Sequence, residues 1–273
     1  AVFDNVGQAQ PKNHFTVGII DDVANTSLNV DTSFDVVSEG VYRAMFYGLG
    51  ADGTVSANKN SIKIIADTTD NYAQGYFEYD SKKAGAVTVS HLRFGKNPIR
   101  RPYLITVANF IACHNFSFLE KFDMLKNAVN GGTFLLTSSY GKDAVWEKLP
   151  GRVQQQIIDK KLKFYVIDAV NIAEDLGLGA RINTIMQTAF FAISKVIDEK
   201  IAINEIKDAI KKTYGKKGEE VVKMNIAAVD KALSSIEEVK IPAKPSNPVV
   251  EIKCEVIEES DAPAFVKGIT CKL

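Results

Sequence analysis

A glycine-rich turn links an apolar run to a helix-compatible segment in the first half of the chain. The turn reads Gly48-Leu49-Gly50-Ala51-Asp52-Gly53, the apolar run covers 41–47, and the helical segment begins near Thr54. A strand, a G-x-G-x-x-G turn and a helix in this order let backbone amides approach a pyrophosphate at the helix N-terminus. Such turns also occur where nothing is bound, because glycine is needed for the turn conformation itself. The motif predicts an α/β unit and leaves ligand binding open.

The composition excludes several classes of protein. A chain of 273 residues can form one large α/β domain or two smaller ones. Lysine plus arginine and aspartate plus glutamate both number 33, and this balance argues against nucleic-acid binding. The apolar runs are too short to span a membrane, and residues 1–10 lack the pattern of a signal peptide. We therefore expect neither a nucleic-acid partner nor a membrane partner.

The cysteines indicate a reducing, cytoplasmic setting. Cys113, Cys254 and Cys271 form no C-x-x-C pair, and three thiols cannot hold an iron–sulfur cluster within this chain. Cys113 precedes His114, but adjacent residues of a strand point to opposite faces, so a buried thiol beside a polar histidine is favoured over a nucleophile–base pair. No metal-ligand spacing occurs either. The sequence predicts no catalytic residue and no metal ligand.

Three zones follow one another along the chain. Residues 1–40 form an N-terminal approach segment, and 41–240 alternate apolar runs with helical patterns. Residues 241–273 begin with Pro242, Pro245 and Pro248, which predict an extended linker. Residues 249–256 then alternate as in an edge strand.

The middle zone predicts a three-layer α/β/α sandwich. Strands are predicted at 43–47, 76–79, 87–92, 104–107, 133–137 and 164–167, and helices at 54–65, 118–128, 142–160 and 171–197, with two more between 204 and 236. Alternating strands and helices imply a mostly parallel, Rossmann-like sheet. The hairpin-like spacing of the second and third strands is compatible with one antiparallel strand. Asn171 and Glu174 resemble a capping box.

Residues that follow the second strand predict a ribose-phosphate ligand. Asp80 ends that strand and suits a ribose diol, whereas Ser81 and Lys82 suit a phosphate on or near the ribose. A 2′-phosphorylated nicotinamide cofactor or the 3′-phosphate of coenzyme A is therefore favoured over NAD, with a solvated turn as the alternative. Arg181 and Asn183 stand at the start of a very apolar helix, where an anion or a partner could bind.

A long ordered series of segments resembles one known family. The segments 48–53, 58–65, 72–77, 79–83 and 87–95 closely resemble the gamma (third) domain of pyruvate:ferredoxin (flavodoxin) oxidoreductases, and 12–19, 21–22, 118–123 and 177–183 extend the resemblance. Enzymes of that family decarboxylate pyruvate on thiamine diphosphate and pass electrons through [4Fe-4S] clusters to ferredoxin or flavodoxin. They transfer the acetyl group to coenzyme A.

The resemblance implies a role for this chain within a longer enzyme. The thiamine and cluster domains of the family lie elsewhere in usually homodimeric polypeptides, so this chain alone would be inactive and its partners would be those domains. The third domain is thought to help bind coenzyme A and to close over the active-site cleft.

The same resemblance suggests which residues meet the coenzyme. Gly50, Asp52, Gly53 and Thr54 would face the diphosphate, Ser81 and Lys82 would hold the 3′-phosphate, and Arg181 and Asn183 would flank the bound molecule. An NADP-binding oxidoreductase domain and a purely structural interdomain module are the alternatives.

Overall fold

The computed structural model describes residues 1–19, 24–31, 40–80, 86–250 and 263–264. Contacts along the chain divide it into two units, one formed by Ala1–Glu39 with Lys253–Leu273 and the other by Gly40–Ile252. In the first unit, a short helix α1 (Val2–Val6) is followed by a parallel bridge between Val17 and Leu28. Everything described below belongs to the second unit, which includes the proline-rich stretch up to residue 250.

A seven-stranded mixed sheet forms the centre of this unit. Its strands are β1 (Tyr42–Leu49), β2 (Tyr72–Tyr79), β3 (Val87–Gly95), β4 (Ala108–Cys113), β5 (Ala128–Thr137), β6 (Lys163–Ile167) and β7 (Glu237–Glu238). The strand order is β2-β3-β1-β4-β5-β6-β7. Strands β1, β4, β5 and β6 run parallel, whereas β3 and β7 run antiparallel to their neighbours. The prediction of a mostly parallel sheet is confirmed, and the short edge strand β7 adds a second antiparallel strand.

Helices cover both faces of the sheet. The helices are α2 (Thr54–Thr68), α3 (Phe118–Lys121), α4 (Gly151–Asp159), α5 (Ala169–Asp175), α6 (Asn183–Ser194), α7 (Glu199–Tyr214) and α8 (Glu219–Ser235). One apolar core joins the sheet to α2, α5, α6, α7 and α8, and a second core joins the other face to α3 and α4. The three-layer sandwich is confirmed. Within the described residues, no helix is long and apolar enough to cross a membrane.

The apolar helix α6 packs against the middle of the sheet. The Phe190 ring meets the Phe46 and Phe110 rings edge to face, each at 5.1 Å between centroids. Edge-to-face contacts are a favoured arrangement of aromatic rings, and all three side chains are buried. This packing holds the start of α6 close to the turn between β1 and α2.

Four predicted helices or strands differ from the structure. The helix predicted at 118–128 is only the single turn α3, followed by a 3₁₀ helix at Met124–Asn127 and by β5 from Ala128. The strand predicted at 104–107 is β4 at 108–113, and the helix predicted at 142–160 shortens to α4, preceded by a single 3₁₀ turn at Trp146–Lys148. The helix predicted at 171–197 is two helices, because Gly177 and Gly179 have φ of +71° and +60° and interrupt it. Of the predicted strand at 249–256, residues 249–250 are not in a strand and the rest lies outside the described residues.

Candidate functional site

A cleft of about 540 Å³ opens at the carboxyl edge of the parallel strands. Residues after β1, β4, β5 and β6 line it, together with Gly179, Ala180 and Ile182 before α6. Ligands of open α/β sheets bind at this edge, and the volume lies in the usual range for small-molecule sites. The glycine turn after β1 therefore borders this cleft.

The Asp52 carboxylate closes the glycine turn from inside. Its Oδ2 accepts a hydrogen bond from the Leu49 amide and its Oδ1 accepts one from the Thr54 amide, both at 2.8 Å. The Gly50 amide donates to the Ala86 carbonyl at 3.0 Å. Asp52 is buried, and its charge compensates the positive end of α2. The Asp52 amide donates to the Leu49 carbonyl at 3.2 Å, so four amides around the turn are bonded within the protein.

Thr54 and His114 meet across the first and fourth strands. Thr54 Oγ1 lies 2.6 Å from His114 Nδ1, and Asp52 Oδ2 lies 4.0 Å from the same nitrogen. Both side chains are buried, and His114 Nε2 has no hydrogen-bond partner within the described residues. Burial lowers the pKa of His114 to about 4, and the nearby Asp52 charge opposes that effect. The imidazole is neutral at physiological pH and lines the cleft.

Cys113 lies in the core of the opposite face of the sheet, away from the cleft. Its Sγ donates to the Asn115 carbonyl at 3.1 Å, and burial raises the pKa of its thiol to about 12. A thiol held in its protonated form is a poor nucleophile. The strand alternation expected for Cys113 and His114 is what the structure shows.

Two glycines of the turn make room for other side chains of the protein. A Cβ on Gly48 would lie 2.5 Å from Thr54 Oγ1, and a Cβ on Gly53 would lie 2.8 Å from Asn183 Cγ. Gly53 also has φ +83°, a backbone conformation that favours glycine. Gly50 and Ala51, in contrast, are exposed at the turn.

The other predicted site residues occupy different environments. Arg181 is exposed and directly follows Ala180 at the cleft, whereas Asn183 is half-buried against Gly53. Ser81 and Lys82 lie outside the described residues. Asp80 follows β2, and the antiparallel β3 lies between β2 and β1. Two interstrand spacings therefore separate the end of β2 from the glycine turn, which places Asp80 roughly 10 Å from that turn. In the dinucleotide-binding fold, the second strand stands beside the first.

Sequence reasoning missed two residues of the cleft. His114 was assigned no role, although it follows β4 just as Asp52 and Thr54 follow β1, and these strands are neighbours. Asp168, and not Asn171, caps α5: the Asp168 side chain accepts from the Asn171 amide at 3.1 Å. The predicted capping box of Asn171 and Glu174 is therefore wrong.

Within the described ranges, no group of three His, Cys, Asp or Glu residues could hold a metal ion.

A profile of the pyruvate ferredoxin/flavodoxin oxidoreductase family matches residues 43–235, which is most of the chain. The chain belongs to this family. A pyruvate-flavodoxin oxidoreductase of Nostoc sp. is 57% identical over all of this chain, and a pyruvate:ferredoxin oxidoreductase of Moorella thermoacetica is 54% identical over 98% of it. The chain covers 23% of the length of each of these family members.

Two solved structures have a similar fold. The pyruvate oxidoreductase subunit PORC of Thermotoga maritima matches 74% of this chain over its whole length, with TM-score 0.59 and 17% identity. A 2-oxoglutarate:ferredoxin oxidoreductase from Magnetococcus marinus, solved with 2-oxoglutarate, coenzyme A and succinyl-CoA bound, matches 77% of this chain over 34% of its own length. Its TM-score is 0.56 and its identity is 18%. At these identities the likeness concerns the fold alone.

Proposed function

We propose that this chain is the domain of a pyruvate:ferredoxin/flavodoxin oxidoreductase that contacts coenzyme A and closes over the active-site cleft. The reaction is the oxidative decarboxylation of pyruvate to acetyl-CoA and CO₂, with electrons passed to ferredoxin or flavodoxin. The support is the high identity to family members over the whole chain. Because the chain covers under a quarter of their length, the chemistry itself is assigned to other domains.

The observation that carries the coenzyme A proposal is the position of the glycine turn at the mouth of the cleft. Ala51 and Asp52 line the cleft, and Gly50 beside them is exposed. The first-turn amides of a helix have no intrahelical acceptor, and the helix dipole favours anions there. The N-termini of α2 and α6 meet at this point, because Asn183 begins α6 and packs on Gly53. A solved relative of the same fold holds coenzyme A.

The proposed contact residues have different roles in this proposal. The exposed Gly50 lets the diphosphate approach the turn, and Gly53 makes room for Asn183 beside it. Asp52 and Thr54 face inward and hold the turn in shape. Arg181 is an exposed cation directly after Ala180 of the cleft, and Asn183 packs against Gly53. Ser81 and Lys82 remain the proposed partners of the 3′-phosphate. In this proposal a side chain supplies the positive charge and the turn supplies shape.

Thiamine diphosphate and the [4Fe-4S] clusters are proposed to bind to the other domains of the enzyme. Those domains are the proposed partners, in a homodimer located in the cytoplasm. The described part of this chain holds one free cysteine, Cys113, whose thiol is buried and bonded to a carbonyl. A buried thiol of this kind is a poor cluster ligand.

Calorimetric titration of the intact protein with coenzyme A and with 3′-dephospho-coenzyme A tests the proposal. We expect Lys82→Met to weaken coenzyme A binding about tenfold and to leave dephospho-coenzyme A unchanged, since only the former has the 3′-phosphate. Arg181→Met should weaken both, because it is assigned to the diphosphate. Lys223→Met, an exposed lysine on α8, is the matched control.

Three results would contradict parts of this scheme. Equal affinity for the two coenzymes would remove Lys82 from its role. Binding of NADPH in place of coenzyme A would favour the NADP-binding alternative. Binding of neither molecule would leave a purely structural interdomain module.

A further inference from the structure

We propose that the cleft binds the uncharged pantetheine arm of coenzyme A, and that His114 donates a hydrogen bond from Nε2 to an amide oxygen of that arm. The inference rests on the proposed function, and it adds the part of the coenzyme that enters the cleft and the residue that orients it. Charge, hydrogen-bonding capacity and apolar surface of the cleft each support this assignment.

The charges of the cleft exclude the phosphates. Asp52, Asp168 and Glu174 line it, whereas no lysine or arginine is among the lining residues that the structure describes. Asp52 is buried, so its field is poorly screened by water. A diphosphate inside the cleft would face like charges without a cation, whereas an uncharged chain would not. The exposed Arg181 lies just outside, directly after Ala180 of the lining.

The hydrogen bond to Thr54 decides which ring nitrogen of His114 carries the proton. Within the described residues, the buried Thr54 hydroxyl has one hydrogen-bond partner, His114 Nδ1 at 2.6 Å. If Nδ1 carried the proton, the hydroxyl hydrogen would be buried without an acceptor, which is costly. The hydroxyl therefore donates to Nδ1, and the neutral ring carries its proton on Nε2. This N–H is buried and unpartnered, and the residue lines the cleft, so a ligand oxygen would satisfy it.

Other lining groups match a chain of secondary amides. The Asn115 side-chain oxygen accepts from the Ser117 amide and hydroxyl, and Ser138 Oγ accepts from the Tyr140 amide. Because these two oxygens accept, the amide nitrogen of Asn115 and the hydroxyl proton of Ser138 are the groups that can donate to a ligand. Donors thus lie on the side of β4 and β5, and the Asp168 and Glu174 carboxylates lie on the side of α5. A secondary amide accepts through its oxygen and donates through its nitrogen.

Apolar side chains cover the remaining lining. Leu49, Phe116, Val170 and Ile182 contribute hydrocarbon surface. The pantetheine arm combines two amides with a dimethyl group and methylene segments, so it offers apolar contacts between its polar groups. Burial of such groups is favourable roughly in proportion to the apolar area removed from water.

A competition experiment on the intact protein tests the inference. Coenzyme A is titrated alone and in the presence of pantetheine, which lacks all phosphates, or adenosine 3′,5′-bisphosphate, which lacks the pantetheine arm. We expect pantetheine to bind and to compete with coenzyme A. His114→Leu should weaken coenzyme A and pantetheine about tenfold, as expected for one lost hydrogen bond, and leave the bisphosphate unchanged. His114→Gln retains a side-chain donor and should recover most of the affinity.

The outcomes separate this inference from the proposed function. Coenzyme A binding without competition by pantetheine overturns the inference alone, and it is the result expected if another segment of the protein fills the cleft. Equal loss of bisphosphate affinity in His114→Leu also overturns it, because the variant would then act through the whole site. If coenzyme A and pantetheine both fail to bind, both proposals are wrong. Competition on the unmodified protein decides the matter even where the leucine variant fails to fold.

Discussion

The side chain of Asn183 occupies the space that a side chain at Gly53 would need. A Cβ built on Gly53 would lie 2.8 Å from Asn183 Cγ and 3.1 Å from its Cβ. Because Asn183 begins α6 and Gly53 immediately precedes α2, this contact ties the two helix starts together. The absence of a Cβ at Gly53 therefore allows α2 and α6, which are far apart in sequence, to pack closely at their first residues.

We expect Gly53→Ala to destabilise the domain by about 2 kcal/mol or more, because it adds a contact below van der Waals distance and forces alanine to φ +83°. Equilibrium unfolding in denaturant measures the change. Gly131→Ala is the matched control, since Gly131 has φ +72° and nothing within 4 Å of a new Cβ. It reports backbone strain alone, and an equal loss in the two variants would show that Asn183 yields without cost.

Stability is expected to fall as pH falls through the titration range of His114. Burial lowers its pKa from 6.5 to about 4, so between these values the unfolded chain binds the proton and the folded protein does not. The contribution of His114 is complete above about pH 6.5 and is lost progressively down to about pH 4. Its size is up to about 3 kcal/mol. Unfolding curves measured across this range give the slope.

Two variants check the assignment of that slope. His114→Gln should flatten it, whereas His14→Gln, at an exposed histidine, should leave it unchanged. The pKa of His91 is also lowered by burial, so a smaller slope of the same sign should persist in His114→Gln. An unaltered slope in His114→Gln would show that other groups carry the pH dependence.

Local patterns were sufficient to predict elements with long, regular sequence signals. The boundary of α2 at Thr54 follows from the glycine turn, and β1, β5 and β6 follow from their apolar runs. The division of 171–197 into two helices was missed, although Gly177 and Gly179 were visible in the sequence. Glycines in the left-handed region end a helix, and the apolar pattern on both sides hid this break.

The arrangement of strands could not be predicted, and the site depends on it. Because β3 lies between β1 and β2, Asp80 is distant from the glycine turn. Because β1 and β4 are adjacent, His114 lies within hydrogen-bonding distance of Thr54. Neither fact has a local sequence signal, because strand order results from packing over the whole sheet. The motif predicted where the site lies, and the topology determines which side chains meet there.

The Lys160 side chain donates hydrogen bonds to three backbone carbonyls at and just before the start of β5. Its Nζ donates to the carbonyls of Leu125, Lys126 and Ala128 at 2.8, 2.6 and 2.9 Å. We expect Lys160→Met to cost about 1–3 kcal/mol, because methionine keeps the apolar stem and removes every donor. Thermal or denaturant unfolding gives the value. Lys163→Met, at an exposed lysine of β6, should change stability by less than about 0.5 kcal/mol, and a similar loss in both would rule out a special role for the three bonds.

Gln154 anchors the proline-rich stretch to the sandwich. Its Nε2 donates to the Trp146 carbonyl at 2.6 Å, and its Oε1 accepts from the amides of Ser246 and Asn247 at 2.9 and 3.0 Å. The side chain is fully buried. The stretch that the sequence assigns to a linker is therefore bonded to α4, and one glutamine makes two of the bonds.

We expect Gln154→Leu to cost about 1–3 kcal/mol, because it removes the acceptor of the Ser246 and Asn247 amides and one of the two donors to the Trp146 carbonyl, which still accepts from the Leu149 amide. The matched control is Gln155→Leu on the same helix, whose amide donates to the exposed Asp159 and should cost little. Hydrogen exchange at the Ser246 and Asn247 amides should accelerate at least about tenfold in Gln154→Leu and not in the control. If exchange at both amides stays slow, the bonds of Ser246 to Trp146 and of Asn247 to Leu149 are sufficient to hold the stretch, and Gln154 serves only the 3₁₀ turn before α4.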